Sequence, residues 1–380
     1  MLPLSPLQQL MLRHSRAARA LHAPDPYTVQ STFSLAGALD VEALHAAGAD
    51  LLERHPNLAA VFPVAPGLDN VQVLPAEPRP DRRAIDVSHL SDPGEQQRRV
   101  DRILADDLAE PFDLAAGPPL RLTVIRRGPD RAELVLTSHH VLSDGWSAPR
   151  MLAELFACYT ARVRGRAPGD ALPAPVPFAD YLRWRAARDQ QADLAAWRAE
   201  LDGLPEGDHL TGDERAVPVA RRHPEPVLLE FDADLVAAVT RTAARHGLTP
   251  NTMLQGAWAA VLAARSRRRD VCFGAMVSGR TPEVDGVEEI IGLLANTVPV
   301  RARFTGTLAE TLADLQARQQ AMIEHQHVAL ADLERMTGRR RLFDSLVVFE
   351  NYPVDPDALR EPAPGLTVTG TRFRETTHHP

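Results

Sequence analysis

Lysine is absent from this chain of 380 residues, so all 42 basic residues are arginine. The arginines are scattered among 50 acidic residues, which fits a coding bias better than a functional demand. The net charge of −8 argues against a general nucleic-acid-binding protein, because such a protein presents a basic surface to the phosphate backbone. The sequence therefore predicts no nucleic-acid partner.

Cysteine is almost absent too, since Cys158 and Cys272 are the only two, and both lie in apolar surroundings. They provide neither a disulfide framework nor a zinc site, and we expect no bound metal. No run of 18 apolar residues occurs, and the start has no basic region followed by a long apolar stretch. These absences predict a cytoplasmic protein with no membrane partner.

The length and the hydrophobic content of 44% are sufficient for a real core and favour two domains over one. Helical and strand patterns alternate along the chain, which is typical of the α/β class. Between Gly165 and Pro177 the glycine, alanine and proline residues leave no periodic pattern. This stretch predicts a boundary between two α/β lobes of similar plan, residues 1–170 and 171–380.

The hydrophobic periodicity and the breaking residues predict the main elements. Helices are expected at residues 7–20, 41–54, 94–109, 193–201, 233–246, 252–265 and 308–325, and from Pro149 onward. Strands are expected at residues 27–35, 120–126, 133–138, 227–231, 271–277 and 297–304. The second and third of these strands are joined by Gly128-Pro129-Asp130, which predicts a hairpin.

The densest cluster of potential chemistry lies at residues 133–147. An apolar run at Leu134–Leu136 predicts a buried strand, and a helical pattern begins near Pro149, so His139 and His140 fall between strand and helix. Such a junction places side chains at the rim of a sheet, beside backbone N–H groups and the positive end of a helix dipole. The junction is therefore the first candidate for an active site.

The residue types at this junction suit acyl transfer. A neutral imidazole accepts a proton near pH 7, Asp144 can pair with a cation and fix the loop, and the Gly145 N–H can bind an oxyanion. No Gly-x-Ser-x-Gly elbow occurs and neither cysteine has a nucleophile context, which favours direct transfer without an acyl-enzyme. Successive side chains of an extended chain point in opposite directions. We therefore expect one buried and one functional histidine, and the residues alone leave the choice open.

The segment His139–Ser147 resembles the signature of the condensation domains of nonribosomal peptide synthetases. Further segments that resemble the motifs of this family follow in the right order along the chain. They are Leu2–Gln8, Arg54–Phe62, Phe178–Trp184, Ile291–Thr297, His325–Val328 and Leu342–Pro353. An ordered series over most of the chain is far more specific than a histidine pair.

The resemblance implies a V-shaped pseudo-dimer of two lobes, each similar to chloramphenicol acetyltransferase, with a central tunnel. It assigns catalysis to His140 and an oxyanion contact to Gly145, with His139 structural. It also implies that Asp144 forms an ion pair with an arginine of the second lobe, and Arg280 matches that position. Candidate tunnel residues are Ser143, Trp146, Ser147, Asn296, Glu350 and Asn351. Members of the family continue past the position of Pro380, so the C-terminal lobe is expected to be incomplete.

The implied reaction is attack by the α-amine of an aminoacyl thioester on an acyl or peptidyl thioester, which forms an amide bond. The opening Leu2–Gln8 and the context of Leu142 and Trp146 resemble those of family members whose donor ends in a D-residue. We expect no cofactor on the chain itself, because the substrates arrive on the phosphopantetheine arms of donor and acceptor carrier domains. Adenylation domains of the same assembly line are further partners, and the domain is expected to be monomeric.

Three other functions remain open. Epimerisation domains share the histidine pattern, although they usually carry a Glu-Gly-His-Gly-Arg-like stretch where this chain has Val277–Arg280. A catalytically idle platform that recruits a partner enzyme is a second alternative, although such members usually have a damaged histidine motif. A free-standing acyltransferase that makes an ester is a third.

Overall fold

The computed structural model describes residues 1–68, 70–170, 172–205, 227–351 and 360–375. Helices and strands alternate through these residues, and the predicted α/β class is confirmed. The helices are α1 Pro6–Ala20, α2 Val41–Arg54, α3 Pro93–Ala109, α4 Ser147–Val163, α5 Phe178–Ala186, α6 Gln190–Leu201, α7 Ala233–Arg245, α8 Pro250–Ser266, α9 Leu308–Ala321 and α10 Leu330–Thr337. The strands are β1 Leu2–Pro3, β2 Thr28–Ala36, β3 Val71–Gln72, β4 Asp81–Asp86, β5 Leu120–Gly128, β6 Arg131–His139, β7 Asp270–Val277, β8 Asn296–Arg303, β9 Leu346–Val347 and β10 Thr367–Glu375.

The described chain divides into two compact units. Unit 1 contains residues 1–186, 280–294 and 351–376, and unit 2 contains residues 187–279 and 295–350. Each unit thus draws on separate stretches of sequence, whereas the sequence prediction used the continuous segments 1–170 and 171–380. The V-shaped arrangement of the two lobes and the tunnel between them stay predictions.

Unit 1 is built on a five-stranded sheet in the order β10-β2-β6-β5-β4. All neighbours are antiparallel except β4 and β5, which are parallel. The predicted hairpin is confirmed, because β5 and β6 pair directly. Side chains of β6 pack alternately into two cores, with Leu134 and Leu136 in the larger core beside α2 and α4, and Val135 in the smaller core beside α3. Burial on both faces explains why this strand reads as a continuous apolar run.

Local capping fixes the starts of the helices in unit 1. Ser5 and Gln8 form a capping box at α1, with the side chain of each accepting from the backbone N–H of the other. The helix predicted at residues 41–54 is confirmed as α2, and the Asp40 carboxylate caps its start by accepting from the Ala43 N–H. Helix α2 ends at Arg54, immediately before His55 and Pro56, as the sequence predicts.

Unit 2 contains a three-stranded sheet in the order β8-β7-β9, in which β7 is antiparallel to β8 and parallel to β9. The predicted helix at residues 308–325 is shorter than expected, because α9 ends at Ala321 and a 3-10 turn covers Ile323–His325. The prediction of a strand at residues 227–231 is wrong, since Val227–Phe231 has no regular secondary structure and is exposed.

The positions of Tyr352, Pro353 and Pro380 lie outside the described residues. None of the described helices is long and apolar enough to cross a membrane.

Candidate active site

The two histidines lie where the sequence places them, at the end of a central strand and before a helix. Strand β6 ends at His139 and α4 begins at Ser147. The loop between them belongs to unit 1, as do the segments that contact it. Hydrogen bonds to the loop backbone fix its course: the His140 N–H donates to the Tyr27 carbonyl at 2.9 Å, and the Leu142 N–H donates to the His139 carbonyl.

His139 is fully buried, with 0% of its surface exposed. Its Nδ1 lies 2.9 Å from the Val141 backbone nitrogen, and because an N–H only donates, Nδ1 is the unprotonated acceptor. The proton of the neutral ring is therefore on Nε2, which lies 3.0 Å from the Ser15 hydroxyl oxygen and 3.3 Å from Asp25 Oδ1. Both ring nitrogens have partners inside unit 1, so the ring is held in one tautomer.

His140 has the opposite arrangement. Its Nδ1 lies 3.4 Å from the Ser143 carbonyl oxygen, and because a carbonyl only accepts, Nδ1 carries the proton when this bond forms. The acceptor nitrogen of the neutral ring is then Nε2. The side chain is half-buried, in contrast to the fully enclosed His139. Of the two histidines, His140 is the one whose environment suits proton transfer to or from a substrate.

The predicted contact between Asp144 and Arg280 is present in the structure. Arg280 Nη1 lies 2.9 Å from Asp144 Oδ2 and Nη2 lies 3.2 Å from Oδ1, which is a bidentate pair. Both side chains are almost fully buried, with 4% of Arg280 and 6% of Asp144 exposed. Arg280 belongs to unit 1, so both partners of this ion pair lie in the unit that carries the histidines.

Backbone and hydroxyl groups complete the environment of the Asp144 carboxylate. It accepts from the Leu294 N–H at 3.0 Å, and from the N–H and hydroxyl of Ser147 at 3.0 and 2.8 Å. The Asp144 N–H in turn donates to the Gly292 carbonyl at 3.2 Å. The loop after His140 is thereby joined to the segment that contains Gly292 and Leu294. With its oxygens engaged in this way, Asp144 holds the loop in place, and the structure gives it no position for an acid–base role.

Gly292 occupies a position that only glycine fits. A Cβ atom built there would lie 2.5 Å from the ring of Phe178, which is buried at the start of α5. On its other side, the Gly292 N–H donates to the Ser147 hydroxyl at 3.1 Å. A larger residue would therefore force either this segment or the Phe178 ring to move. The motifs around Phe178 and Ile291 are distant in sequence and meet here.

Two other motif residues support the loop in roles that sequence reasoning missed. The Gln8 side-chain amide donates to the Val141 carbonyl at 2.9 Å, next to His140. The Asn57 side-chain amide donates to the Ile291 carbonyl at 2.9 Å. Both side chains are buried. Their membership in the family-like segments was a usable signal, whereas the roles of Ser15, Asp25 and Tyr27 around His139 had no sequence signal.

Gly145 and Trp146 directly precede α4 and are half-buried. The Trp146 indole N–H donates to the Glu288 carbonyl at 3.1 Å, and the Arg280 guanidinium lies 5.3 Å from the centre of the indole ring. This is a cation–π contact, which restricts both side chains. Trp146 is therefore partly engaged in supporting the ion pair and has one side near solvent.

The candidate tunnel residues are divided between the two units. Ser143 and Ser147 are buried in unit 1, and Ser147 is occupied by its bonds to Asp144 and Gly292. Asn296 begins β8 in unit 2, is 2% exposed, and its amide donates to the Gln326 and Val328 carbonyls at 2.8 Å each. Glu350 and Asn351 are exposed. Their role as tunnel residues stays a prediction.

The described residues contain no cluster of three or more histidine, cysteine or acidic side chains arranged for a metal ion. His325 has Nδ1 at 2.8 Å from Asp193 Oδ1. Both cysteines are buried and unbridged, and burial raises the pKa of Cys158 to about 11. A thiol with this pKa is almost fully protonated at neutral pH and is a poor nucleophile.

Comparison with known proteins gives consistent results. A family model described as "Condensation domain" matches residues 1–376. Among curated proteins, a linear gramicidin synthase of Brevibacillus parabrevis is 36% identical over 92% of this chain, and chondramide synthase of Chondromyces crocatus is 33% identical over 93%. The chain spans only 7% and 9% of the lengths of these two relatives.

Among solved structures, the first condensation domain of the calcium-dependent antibiotic synthetase, in complex with a substrate analogue, matches with a TM-score of 0.69. The match covers 99% of this chain and 85% of that one, at 22% identity. At this identity the likeness establishes the fold and nothing about the substrate.

Proposed function

The chain belongs to the condensation-domain family of nonribosomal peptide synthetases, and on this premise we propose that it forms an amide bond between two carrier-bound substrates. The donor is an acyl or peptidyl thioester, with a D-terminated peptide as the favoured form. The acceptor is an aminoacyl thioester. The observation that carries the proposal is the contact of His140 Nδ1 with the Ser143 carbonyl at 3.4 Å, because a proton shared in this contact leaves Nε2 of the neutral ring as the hydrogen-bond acceptor.

The proposed reaction joins two carrier-bound molecules. The α-amine nitrogen of the aminoacyl thioester attacks the carbonyl carbon of the donor thioester. The C–S bond of the donor breaks, and its phosphopantetheine leaves as a thiol. A free α-amine has a pKa of roughly 8, so about a tenth of it is already neutral at pH 7, and alignment of this neutral amine contributes beside deprotonation. His140 Nε2 accepts a hydrogen bond from the amine, positions it, and takes its proton as the bond forms. That proton then goes to the departing sulfur.

Negative charge develops on the carbonyl oxygen during attack. The Gly145 N–H, beside the first turn of α4, is the proposed donor to this oxyanion, and the helix dipole favours the charge there. Asp144 and Arg280 act indirectly by fixing the loop that carries His140 and Gly145. The proposal includes no cofactor on the chain, because the phosphopantetheine arms belong to the carrier domains. Adenylation domains load those arms.

The test is His140→Ala in an assay that follows product transfer from a donor carrier to an acceptor carrier. We expect about a 100-fold or greater loss of rate, since general acid–base catalysis typically contributes 10²–10⁴-fold. His89→Ala is the matched control, because His89 is exposed and distant in sequence from the loop, and its rate should equal that of the wild type. Wild-type turnover by His140→Ala would contradict the assignment.

The same assay separates the alternative functions. Run in D2O, an epimerisation domain would introduce deuterium at the α-carbon of the donor without forming an amide. A recruitment platform would do neither with intact wild-type protein. An ester-forming enzyme would act on a hydroxyl acceptor in preference to the amine. Only amide formation that depends on His140 supports the proposal.

A further inference from the structure

Asp25 lies outside all the family-like segments, yet it is connected to the backbone on both sides of His140. Its Oδ1 accepts from the Tyr27 N–H at 3.0 Å and from the Ser15 hydroxyl at 3.1 Å. The same oxygen lies 3.3 Å from Nε2 of His139. One carboxylate oxygen thus binds three groups from separate parts of unit 1, namely α1, the residue before β2 and the end of β6.

Two of these groups contact the backbone next to His140. The carbonyl of Tyr27 accepts the His140 N–H at 2.9 Å. Nδ1 of His139 accepts the Val141 N–H at 2.9 Å. The backbone N–H groups of His140 and of the residue after it are therefore each held by a partner that Asp25 binds directly.

Within the proposed function, we propose that Asp25 is a positioning residue for His140. Its carboxylate favours the Nε2–H tautomer of His139, because this tautomer both donates toward Asp25 and lets Nδ1 accept from Val141. With the other tautomer, a proton on Nδ1 would face the Val141 N–H and that hydrogen bond would be lost. The orientation of the loop, and with it the direction of the His140 ring, then depends on Asp25.

The charge state of Asp25 agrees with this role. Burial favours the protonated form, but the hydrogen bonds from His139, Tyr27 and Ser15 hold the pKa of Asp25 below its usual range. The Asp25 side chain is 20% exposed and His139 is fully enclosed. In this proposal Asp25 acts through the groups it binds.

The experiment compares Asp25→Ala and Asp25→Asn in the carrier-to-carrier assay. Removing all three bonds in Asp25→Ala should lower kcat by about 10- to 100-fold, the range expected for slight misplacement of a catalytic group, with KM for either carrier substrate changed by less than about twofold. Asp25→Asn retains an acceptor oxygen and should recover most of kcat. Asp50→Ala is the matched control, because Asp50 is a buried acid of unit 1 that binds Arg162 away from the loop, and its kcat should stay at the wild-type value.

A second readout does not depend on activity. Two-bond proton–nitrogen NMR spectra of the histidine side chains, with the His139 signal assigned from a His139→Gln variant, report the tautomer directly. The wild type and Asp25→Asn should show the Nε2–H form, and Asp25→Ala should show a mixture of the two forms. An unchanged tautomer in a folded Asp25→Ala variant, or a kcat equal to that of the wild type, would overturn the inference. If the wild type forms no amide, the proposed function fails, while the NMR comparison still decides the role of Asp25.

Discussion

Asp144 shows most clearly how one residue organises this site. Arg280 and the Leu294 N–H bind its Oδ2, while Ser147 and the second guanidinium nitrogen bind its Oδ1. Taking a carboxylate out of water is expensive, and this set of donors compensates for that cost. Removing either charge leaves the other buried without its counterion. The pair therefore contributes to the stability of unit 1 as well as to the placement of the loop.

We predict that Asp144→Ala and Arg280→Ala each lower the free energy of unfolding by about 3–5 kcal/mol, the range measured when one partner of a buried pair is removed. The double variant should lower the free energy of unfolding by less than the sum of the two single effects, because it leaves no uncompensated charge. Urea denaturation of the four proteins gives this double-mutant cycle. Additive effects of the two substitutions would show that the charges do not stabilise each other.

The exposed pair of Asp180 and Arg183 is the control for this cycle. The distance from Arg183 Nη1 to Asp180 Oδ1 is 2.9 Å, the same as the distance from Arg280 Nη1 to Asp144 Oδ2 in the buried pair. The side chains of Asp180 and Arg183, however, are 42% and 75% exposed. Solvent screens such a pair, and its coupling is expected to be below about 1 kcal/mol. Burial, and not distance, then explains the larger effect at Asp144.

At the scale of elements, helices α2 and α4 are joined by an ion cluster around Glu154. Glu154 Oε2 lies 2.8 Å from Nε2 of His55 and 3.0 Å from Nε of Arg54. Burial raises the pKa of the Glu154 carboxyl, but the hydrogen bonds and charges of His55 and Arg54 outweigh it, so the pKa lies below its ordinary value. The motif residues Arg54 and His55 thus connect two helices of the larger core.

The lowered pKa of Glu154 predicts a pH-dependent contribution to stability. A depressed folded-state pKa stabilises the protein above the ordinary carboxyl pKa, and this contribution is lost as the pH falls. Glu154→Gln should therefore be less stable than the wild type at pH 7. The difference should shrink as the pH falls below the ordinary carboxyl pKa of about 4.3, where the unfolded chain protonates first, and should be lost once the pH falls through the lower folded-state pKa. Thermal unfolding of both proteins across this pH range measures the difference.

Glu53→Gln provides the comparison for Glu154→Gln. Glu53 lies on α2 next to Arg54 and is exposed. Its replacement should change stability by less than about 0.5 kcal/mol at every pH, as is usual for surface positions. A pH-independent gap between Glu154→Gln and the wild type would mean that the Glu154 charge contributes nothing to the link between the helices.

Element positions were largely predictable because their causes are local. The cap at Asp40, the break at Pro56 and the hairpin turn after Gly128 act within a few residues. The strand predicted at residues 227–231 failed for the opposite reason. A strand requires a partner, and Val227–Phe231 has none among the described residues, although its apolar composition favours a strand.

At the scale of the whole molecule, backbone protection differs between the paired strands of the sheets and the segment Val227–Phe231. Strand β6 of unit 1 pairs with β2 on one side and β5 on the other. In unit 2, Val227, Leu229 and Phe231 are 84%, 72% and 63% exposed in a segment without regular structure. The free energy of local opening should therefore be high for β6 and low for Val227–Phe231.

Hydrogen–deuterium exchange tests this difference. Amides of Arg131–His139 should exchange only through large-scale unfolding, whereas amides of Val227–Phe231 should exchange fastest among the apolar segments of the described chain. Peptide-resolved mass spectrometry distinguishes the two. Slow exchange at Val227–Phe231 would show that this segment is paired in solution and would restore the strand predicted from its sequence.

The sequence by itself determined the α/β class, the bounds of most helices and strands, the family, and the position of the histidine pair between a strand and a helix. Periodicity, helix caps and sequence motifs depend on residues that are close in the chain, so they can be recognised from the sequence alone. The tertiary structure decided the rest of the site: the opposite tautomers of His139 and His140, the place of Arg280 in unit 1, and the contacts of Gln8, Asp25 and Asn57. The partners in these contacts are far apart in the chain, 133 residues for Gln8 and Val141 and 136 for Asp144 and Arg280. No local pattern encodes such pairs, because they form only when separate segments pack against the same loop.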